Sequence, residues 1–243
     1  MGIALLLVIV CHTHIAIAAI AYVQSAGDGS CASCASSVKA YTSNNSAGAL
    51  LTACVVMDPT QTISTITDSQ GNTWTRAVQI NGGGGGTIEG WYAMNVSAGA
   101  NTVTATYSAA ASYAALMIHE YSGAATTGAL DVVASQNQTN PGTAADAVSS
   151  SSAITTVDGA LIFGCTGEGN GTGSLSAGTN FTLRVTVFGD SPSEDRIQTT
   201  AGSVAATFTT DDPTSNHSTI MATYKPFVAS TVPFSFGLLG VGK

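Results

Sequence analysis

The sequence predicts an all-β fold: an antiparallel two-sheet β-sandwich, jelly-roll-like, with about thirteen strands. Three observations predict it. Apolar and Thr-rich runs with a period of two recur at intervals of roughly 8–12 residues. Clusters of Gly, Asn, Asp and Pro separate them, as turns require. No stretch carries the period of an amphipathic helix.

Residues 68–107 show the pattern most fully. Ser69-Gln70-Gly71-Asn72 reads as a turn in which Gly71 is free to take positive φ and Asp68 and Asn72 can bond to nearby backbone. Trp74, Arg76, Val78 and Ile80 then alternate with Thr75, Ala77 and Gln79, as in a half-buried strand. Residues 82–86 are all glycine and are expected to interrupt regular structure, because glycine loses the most backbone entropy on ordering. A strand resumes over residues 88–96, with Trp91 and Tyr92 on opposite faces, and a third covers residues 102–107. Loops this short predict antiparallel neighbours.

Taken in order, residues 1–23 form an apolar segment, either a signal peptide or a retained strand. Its small-x-small patterns suit cleavage. The absence of Lys or Arg before the run, and the interruption at Cys11-His12-Thr13-His14, do not. Residues 15–23 suit a first strand. The body of the protein is expected over residues 24–227. Residues 49–57 are almost wholly apolar, which predicts a strand buried on both faces, and Asp58-Pro59 ends it. Further strands are expected near residues 37–41, 62–67, 112–121, 130–136, 147–156, 160–165, 181–188, 197–200, 203–209 and 218–224. Each half of the chain holds a Gly turn, an apolar strand and a Thr-rich strand, at spacings too unequal to establish duplication. Residues 228–243 form an apolar tail, read as a sorting tail or an additional strand.

Charged residues make up only 8% of the 243, against about 25% in an average soluble domain. The net charge is −8, and Lys39, Arg76, Arg184, Arg196, Lys225 and Lys243 are scattered. No basic patch exists to neutralise phosphates, so nucleic acid is excluded as a partner. The surface must consist largely of Ser, Thr, Asn, Gln and Gly. Such a surface desolvates at lower cost than a charged one. It suits packing against copies of the same chain, or against carbohydrate. No stable membrane span is expected in the mature form.

Five cysteines occur. Cys31 and Cys34 form a C-x-x-C with no second pair to complete a zinc site, so a disulfide is expected there. Cys54 and Cys165 lie in apolar strands and are read either as bridged to each other or as buried thiols. Disulfide use points to an extracellular or cell-surface location.

Candidate chemistry is sparse. His119-Glu120 lies in a strand, its two side chains on opposite faces, without the H-E-x-x-H of a zinc protease. Glu89, Glu120 and Glu168 are the carboxylates from which a glycosidase pair would be drawn. Asp190, Glu194, Asp195, Asp211 and Asp212 lack a calcium-loop spacing. No nucleophile motif or phosphate-binding glycine pattern is present. No catalytic residue, metal or cofactor is therefore assigned. Trp74, Trp91 and Tyr92 are the candidate glycan contacts. Sequons begin at Asn44, Asn95, Asn137, Asn170, Asn180 and Asn216.

The strings TITDSQGNTWTRA, GWYAMNVSAGANTVTATY and ALMIHEYSGA together resemble a β-sandwich domain family of uncharacterised secreted or surface microbial proteins, over about residues 20–227. That resemblance implies a fold and supplies no catalytic residues. The apolar ends and low charge also resemble subunits of extracellular filaments, in which the terminal strand of one subunit completes the sheet of the next. The expected function is a non-enzymatic extracellular structural protein that self-assembles by strand addition; the alternative is a carbohydrate-binding or adhesive surface module.

Overall fold

LLTACVVM, Leu50–Met57, offers no polar side for solvent, so a strand made from it must be covered on both faces. The structure, a computed structural model describing residues 18–29, 33–84, 86–169 and 173–229, provides that cover. Among these residues the chain forms eighteen strands and no helix. The first half holds β1 (Ala21–Asp28), β2 (Cys34–Ala40), β3 (Leu50–Met57), β4 (Ile63–Asp68), β5 (Thr75–Gly83), β6 (Gly86–Ala93), β7 (Thr102–Ala111) and β8 (Ala114–Ser122). The second half holds β9 (Leu130–Thr139), β10 (Val148–Ser149), β11 (Ala153–Ile154), β12 (Ala160–Glu168), β13 (Leu175–Ala177), β14 (Thr182–Val187), β15 (Ser191–Gln198), β16 (Ser203–Val204), β17 (Thr207–Thr210) and β18 (Asn216–Tyr224).

Two five-stranded sheets, β1-β8-β3-β6-β5 and β14-β15-β12-β18-β9, face each other across the main core. Leu50, Cys54 and Val56 point into that core with Met117, Tyr121, Leu161, Phe163 and Ile220. The alternate residues Leu51, Ala53, Val55 and Met57 point the other way, onto the three-stranded sheet β2-β7-β4. On the far side of the second five-stranded sheet, Ala160, Ile162 and Met221 pack against Val204 and Ala206 of an outer layer made by β10-β17-β13 and β11-β16. The result is four layers, with the two five-stranded sheets in the middle.

The two halves have the same strand order. Writing β9 for β1, β12 for β3, β14 for β5, β15 for β6 and β18 for β8 turns the first five-stranded order into the second. Replacing β2, β7 and β4 with β10, β17 and β13 does the same for the outer layers. Packing is reciprocal: β1 lies against β14, and β5 lies against β9. That is the pattern of a two-fold interface between like units. Matching residues follow: Gly48-Ala49-Leu50 with Cys54 against Gly159-Ala160-Leu161 with Cys165, and Val103, Ala105, Tyr107 against Val204, Ala206, Phe208. The duplication that unequal spacing concealed is thus present in the topology. Cys54 and Cys165, at matching positions, are joined by a disulfide across the main core.

Several expectations are corrected here. The strands number eighteen among the described residues, against about thirteen. The difference lies mainly in β10, β11, β13 and β16, whose two or three residues are too few to show a period. Among the described residues the sheets number five in four layers, against two. The glycine run does not interrupt structure: β5 runs to Gly83, β6 starts at Gly86, and these two residues pair. Side chains are excluded at that hairpin, because a Cβ on Gly86 would lie 2.5 Å from both the Met57 carbonyl oxygen and the Tyr113 hydroxyl. Of the strands in residues 68–107, β5 pairs with β6, but β7 crosses to the other sheet between β2 and β4. Strand β1 begins at Ala21 and pairs with β8. Residues 1–17 and 230–243, with the cleavage and tail readings that concern them, lie outside the described residues, as does Cys31.

The Cys54–Cys165 bridge closes a loop of 111 residues and ties the two halves together. Converting both cysteines to Ala is expected to lower unfolding stability by about 2–4 kcal/mol. Urea denaturation with and without reductant checks it; equal midpoints would show that the bridge contributes nothing.

Candidate functional site

The two ends of the described body lie side by side. Ala18 donates its backbone N–H to the Phe227 carbonyl at 2.9 Å, and Phe227 donates to the Gly123 carbonyl at 2.8 Å. Ala18 and Phe227, near the two ends of the described chain, are therefore neighbours. An open cavity of about 820 Å³ adjoins them, lined in part by Thr126, Val157, Asp158, Lys225 and Phe227. Phe227 and Val228 are exposed beside it.

The edges of the five-stranded sheets are β1, β5, β9 and β14 among the described residues. An edge strand presents unpaired N–H and C=O groups, and proteins usually blunt it with charge, above all Lys, or with Pro. These four hold one charged residue each, Asp28, Arg76, Asp131 and Arg184, and neither Lys nor Pro. Three of those charges are engaged internally: Arg184 pairs with Asp195, Arg76 with Glu89, and Asp131 accepts from the Thr156 N–H. Exposed Tyr22, Val23, Val133 and Leu183 lie on the same edges.

Between the halves runs a polar seam. Tyr121 donates to Asp195 Oδ2 at 2.8 Å, and Arg184 grips both oxygens of Asp195 at 2.9 Å. The Arg184 guanidinium also stacks 3.8 Å from the Tyr22 ring centre. His119 Nε2 and Ser193 Oγ share a hydrogen bond of 2.8 Å, with the His119 ring edge-on to Phe163. Burial, aided by the Arg184 charge, lowers the His119 pKa to about 3, so the ring is neutral at ordinary pH. A hydroxyl on an imidazole is half of a nucleophile–base pair. Here both residues are fully buried, and the contact joins β8 to β15. The seam orients one half on the other.

Of the carboxylates that sequence singled out for a glycosidase pair, Glu120 and Glu89 are each answered by their own donors. Glu120 accepts from Gln24, Asn45 and the Ser46 N–H at 2.6–2.8 Å. Glu89 accepts from the Ile63 N–H and from Trp91 Nε1, with Arg76 at 3.6 Å. Glu194, on the face of β15 that corresponds to the Glu89 face of β6 and two positions along it, accepts from the Gly178 and Thr207 N–H groups. Each member of this pair ties its five-stranded sheet to the outer layer above it. Asp68 accepts from Asn72, Trp74 and Asn101; burial opposes its ionisation, but these bonds prevail and lower its pKa. Gly71 takes φ 72° in that turn, as expected.

Trp74 and Tyr92 are buried, and Trp91 is half-buried. Trp91 and Tyr92 do face opposite sides, but both faces of their sheet are covered. Asn44, Asn95, Asn137 and Asn180 are exposed, Asn216 is half-buried, and Asn170 lies outside the described residues. No group of three or more His, Cys, Asp or Glu is placed to share a metal ion among the described residues. No helix among them is long and apolar enough to cross a membrane.

Burial, only partly offset by its two hydrogen bonds, raises Glu194 to about 8. Its folded pKa lies above its unfolded value, so the stability it contributes is complete below about pH 4.5 and is lost as pH rises through 8. Between pH 7 and 9 the urea midpoint is expected to fall by the equivalent of about 1 kcal/mol. Glu194→Gln should flatten that fall; equal slopes in the two proteins would overturn the assignment.

No protein-family model matches this chain, and neither a curated protein nor a solved structure matches it.

Proposed function

We propose that this protein is a non-enzymatic extracellular structural subunit that assembles with copies of itself by strand addition. The observation that carries the reading is the set of four sheet edges, each bulged once or more but bare of Lys and Pro and dotted with exposed apolar side chains. An edge of this kind is a template for a strand from another chain. Support comes from the two terminal segments, apolar in sequence, whose attachment points Ala18 and Phe227 are neighbours beside an open cavity. The low charge supports it too, since few ionic groups would have to be desolvated in a contact between copies. The extracellular assignment rests on the Cys54–Cys165 disulfide, which persists where the medium is oxidising. Within each half we read the eight-strand order as a jelly roll, making the body a tandem pair of such units. The carbohydrate-binding alternative draws less support, because Trp74 and Tyr92 are buried.

Sedimentation velocity and electron microscopy of the concentrated protein are expected to show polymers. Val23→Lys, Val133→Lys and Leu183→Lys, each on an exposed edge position, should suppress them without lowering the thermal midpoint. A protein that stays monomeric on concentration would sink the proposal.

A further inference from the structure

A second cavity, of about 270 Å³, opens at the seam between the halves. From the first half, Val56 and Tyr113 line it; from the second, Glu168, Phe188, Asp190 and Ser191. Glu168 is the last residue of β12 and is nine-tenths buried. Its Oε1 accepts from the Gly173 N–H at 3.1 Å, while its Oε2 is buried and has no partner. A buried carboxylate oxygen left unanswered is costly, and such a group calls for a donor. Asp190 brings a second carboxyl to the same cavity and receives a hydrogen bond from the Ser191 hydroxyl at 3.0 Å. Burial first, then the Glu168 charge, raises its pKa.

Neither carboxyl has a cationic partner among the described residues. The ion pairs among the described residues are Arg76–Glu89 and Arg184–Asp195. His217 stands opposite Glu168 on β18, but neither ring nitrogen makes a hydrogen bond, and burial lowers its pKa. It supplies no counter-charge. The β14–β15 turn adds an aromatic wall. Phe188 takes φ 57° and Gly189 φ 91°, the left-handed pair that a tight hairpin demands. This strained turn leaves the Phe188 ring half exposed at the cavity.

We propose that this cavity binds a primary ammonium group carried on a short apolar stem. Two carboxyls without a counter-ion supply the charge, and Glu168 Oε2 supplies the unfilled acceptor. Tyr113 and Phe188 suit a cation beside aromatic rings, and Val56 suits the stem. A calcium ion fits the donor set less well, because it takes six to eight oxygens and here meets two carboxyls and the Tyr113 and Ser191 hydroxyls beside Val56 and Phe188. The site is independent of the assembly reading: it uses no sheet edge and no terminal segment.

The test is calorimetric titration of the whole protein with n-butylammonium, with n-butanol as the uncharged control. Saturable binding in the millimolar range is expected for the ammonium and none for the alcohol. Asp190→Asn, at a half-exposed position, should weaken binding by about tenfold or more while the thermal midpoint holds, and Glu168→Gln should abolish it. A parallel titration with Nα-acetyl-lysine methylamide separates the two sources of this chemistry. If it binds equally, a lysine side chain of a protein is admitted; if it does not, the site takes free amines. Binding unaffected by Asp190→Asn would overturn the proposal. So would calcium binding more tightly than the ammonium, glucose binding in its place, or no saturable binding at all.

Discussion

Burial of the five-stranded sheets on both faces is the constraint on which the rest of the structure depends. A strand such as β3 sends Leu50, Cys54 and Val56 into one core and Leu51, Ala53, Val55 and Met57 into another. Neither set has access to water. Any polar residue placed on these strands must then find its partners inside the protein. Glu89, Glu120 and Glu194 do so with backbone N–H groups and amide side chains drawn from the covering layers. Each buried acid therefore acts as a clamp between layers. It also fixes register, because a one-residue slip would carry the acid to the opposite core.

Duplication explains why two such sheets meet. A single half with one five-stranded and one three-stranded sheet would leave the apolar face of Met117, Tyr121, Ile88 and Val56 exposed. Its counterpart covers that face with Phe163, Leu161 and Ile220. The disulfide lies where equivalent strands face each other, so equivalent cysteines meet. Elsewhere the halves have diverged in complementary ways. His119 in the first half corresponds to Ala222 in the second, and its ring meets Ser193 and Phe163. Tyr121 reaches Asp195, whereas its counterpart Tyr224 packs against Tyr92. The polar seam is thus one-sided. It gives one half a fixed orientation on the other, which a wholly apolar interface between like units would specify less strictly.

Much of this was legible in the sequence, and the reasons for the remainder are physical. The all-β class and the long strands β3, β8 and β12 follow from period and apolar runs. Residues 49–57 read as two-face burial and are so. By contrast, whether an alternating strand such as β6 meets solvent on one face depends on what covers it, and no local pattern carries that. Trp91 and Tyr92 illustrate the point: alternation placed them on opposite faces, and layering hid Tyr92 and half-covered Trp91. Duplication was obscured because matching segments are offset by unequal loop lengths, although GALLTAC and GALIFGC could have signalled it. The cavity holding Glu168 and Asp190 was beyond reach, because one residue ends a strand and the other closes a hairpin. Only tertiary packing brings Val56 and Tyr113 to them.

The reciprocal stacking also determines where the edges lie. Because β1 lies against β14 and β5 against β9, the edges come in two pairs, one on each flank of the body. Stacked sheets are separated by about 10 Å, so a neighbour docking on one flank meets two edges at once. The flanks are related by the same approximate two-fold relation as the halves, whereas the ends of the described body are not: Ala18 and Phe227 meet beside Gly123. A body with like flanks and one distinct end has a direction. When the contact made by that distinct end falls on a different surface of the next copy, the contact does not close on itself. On the assembly we propose, successive copies would add in one sense, and an interface of that kind gives open, filament-like growth.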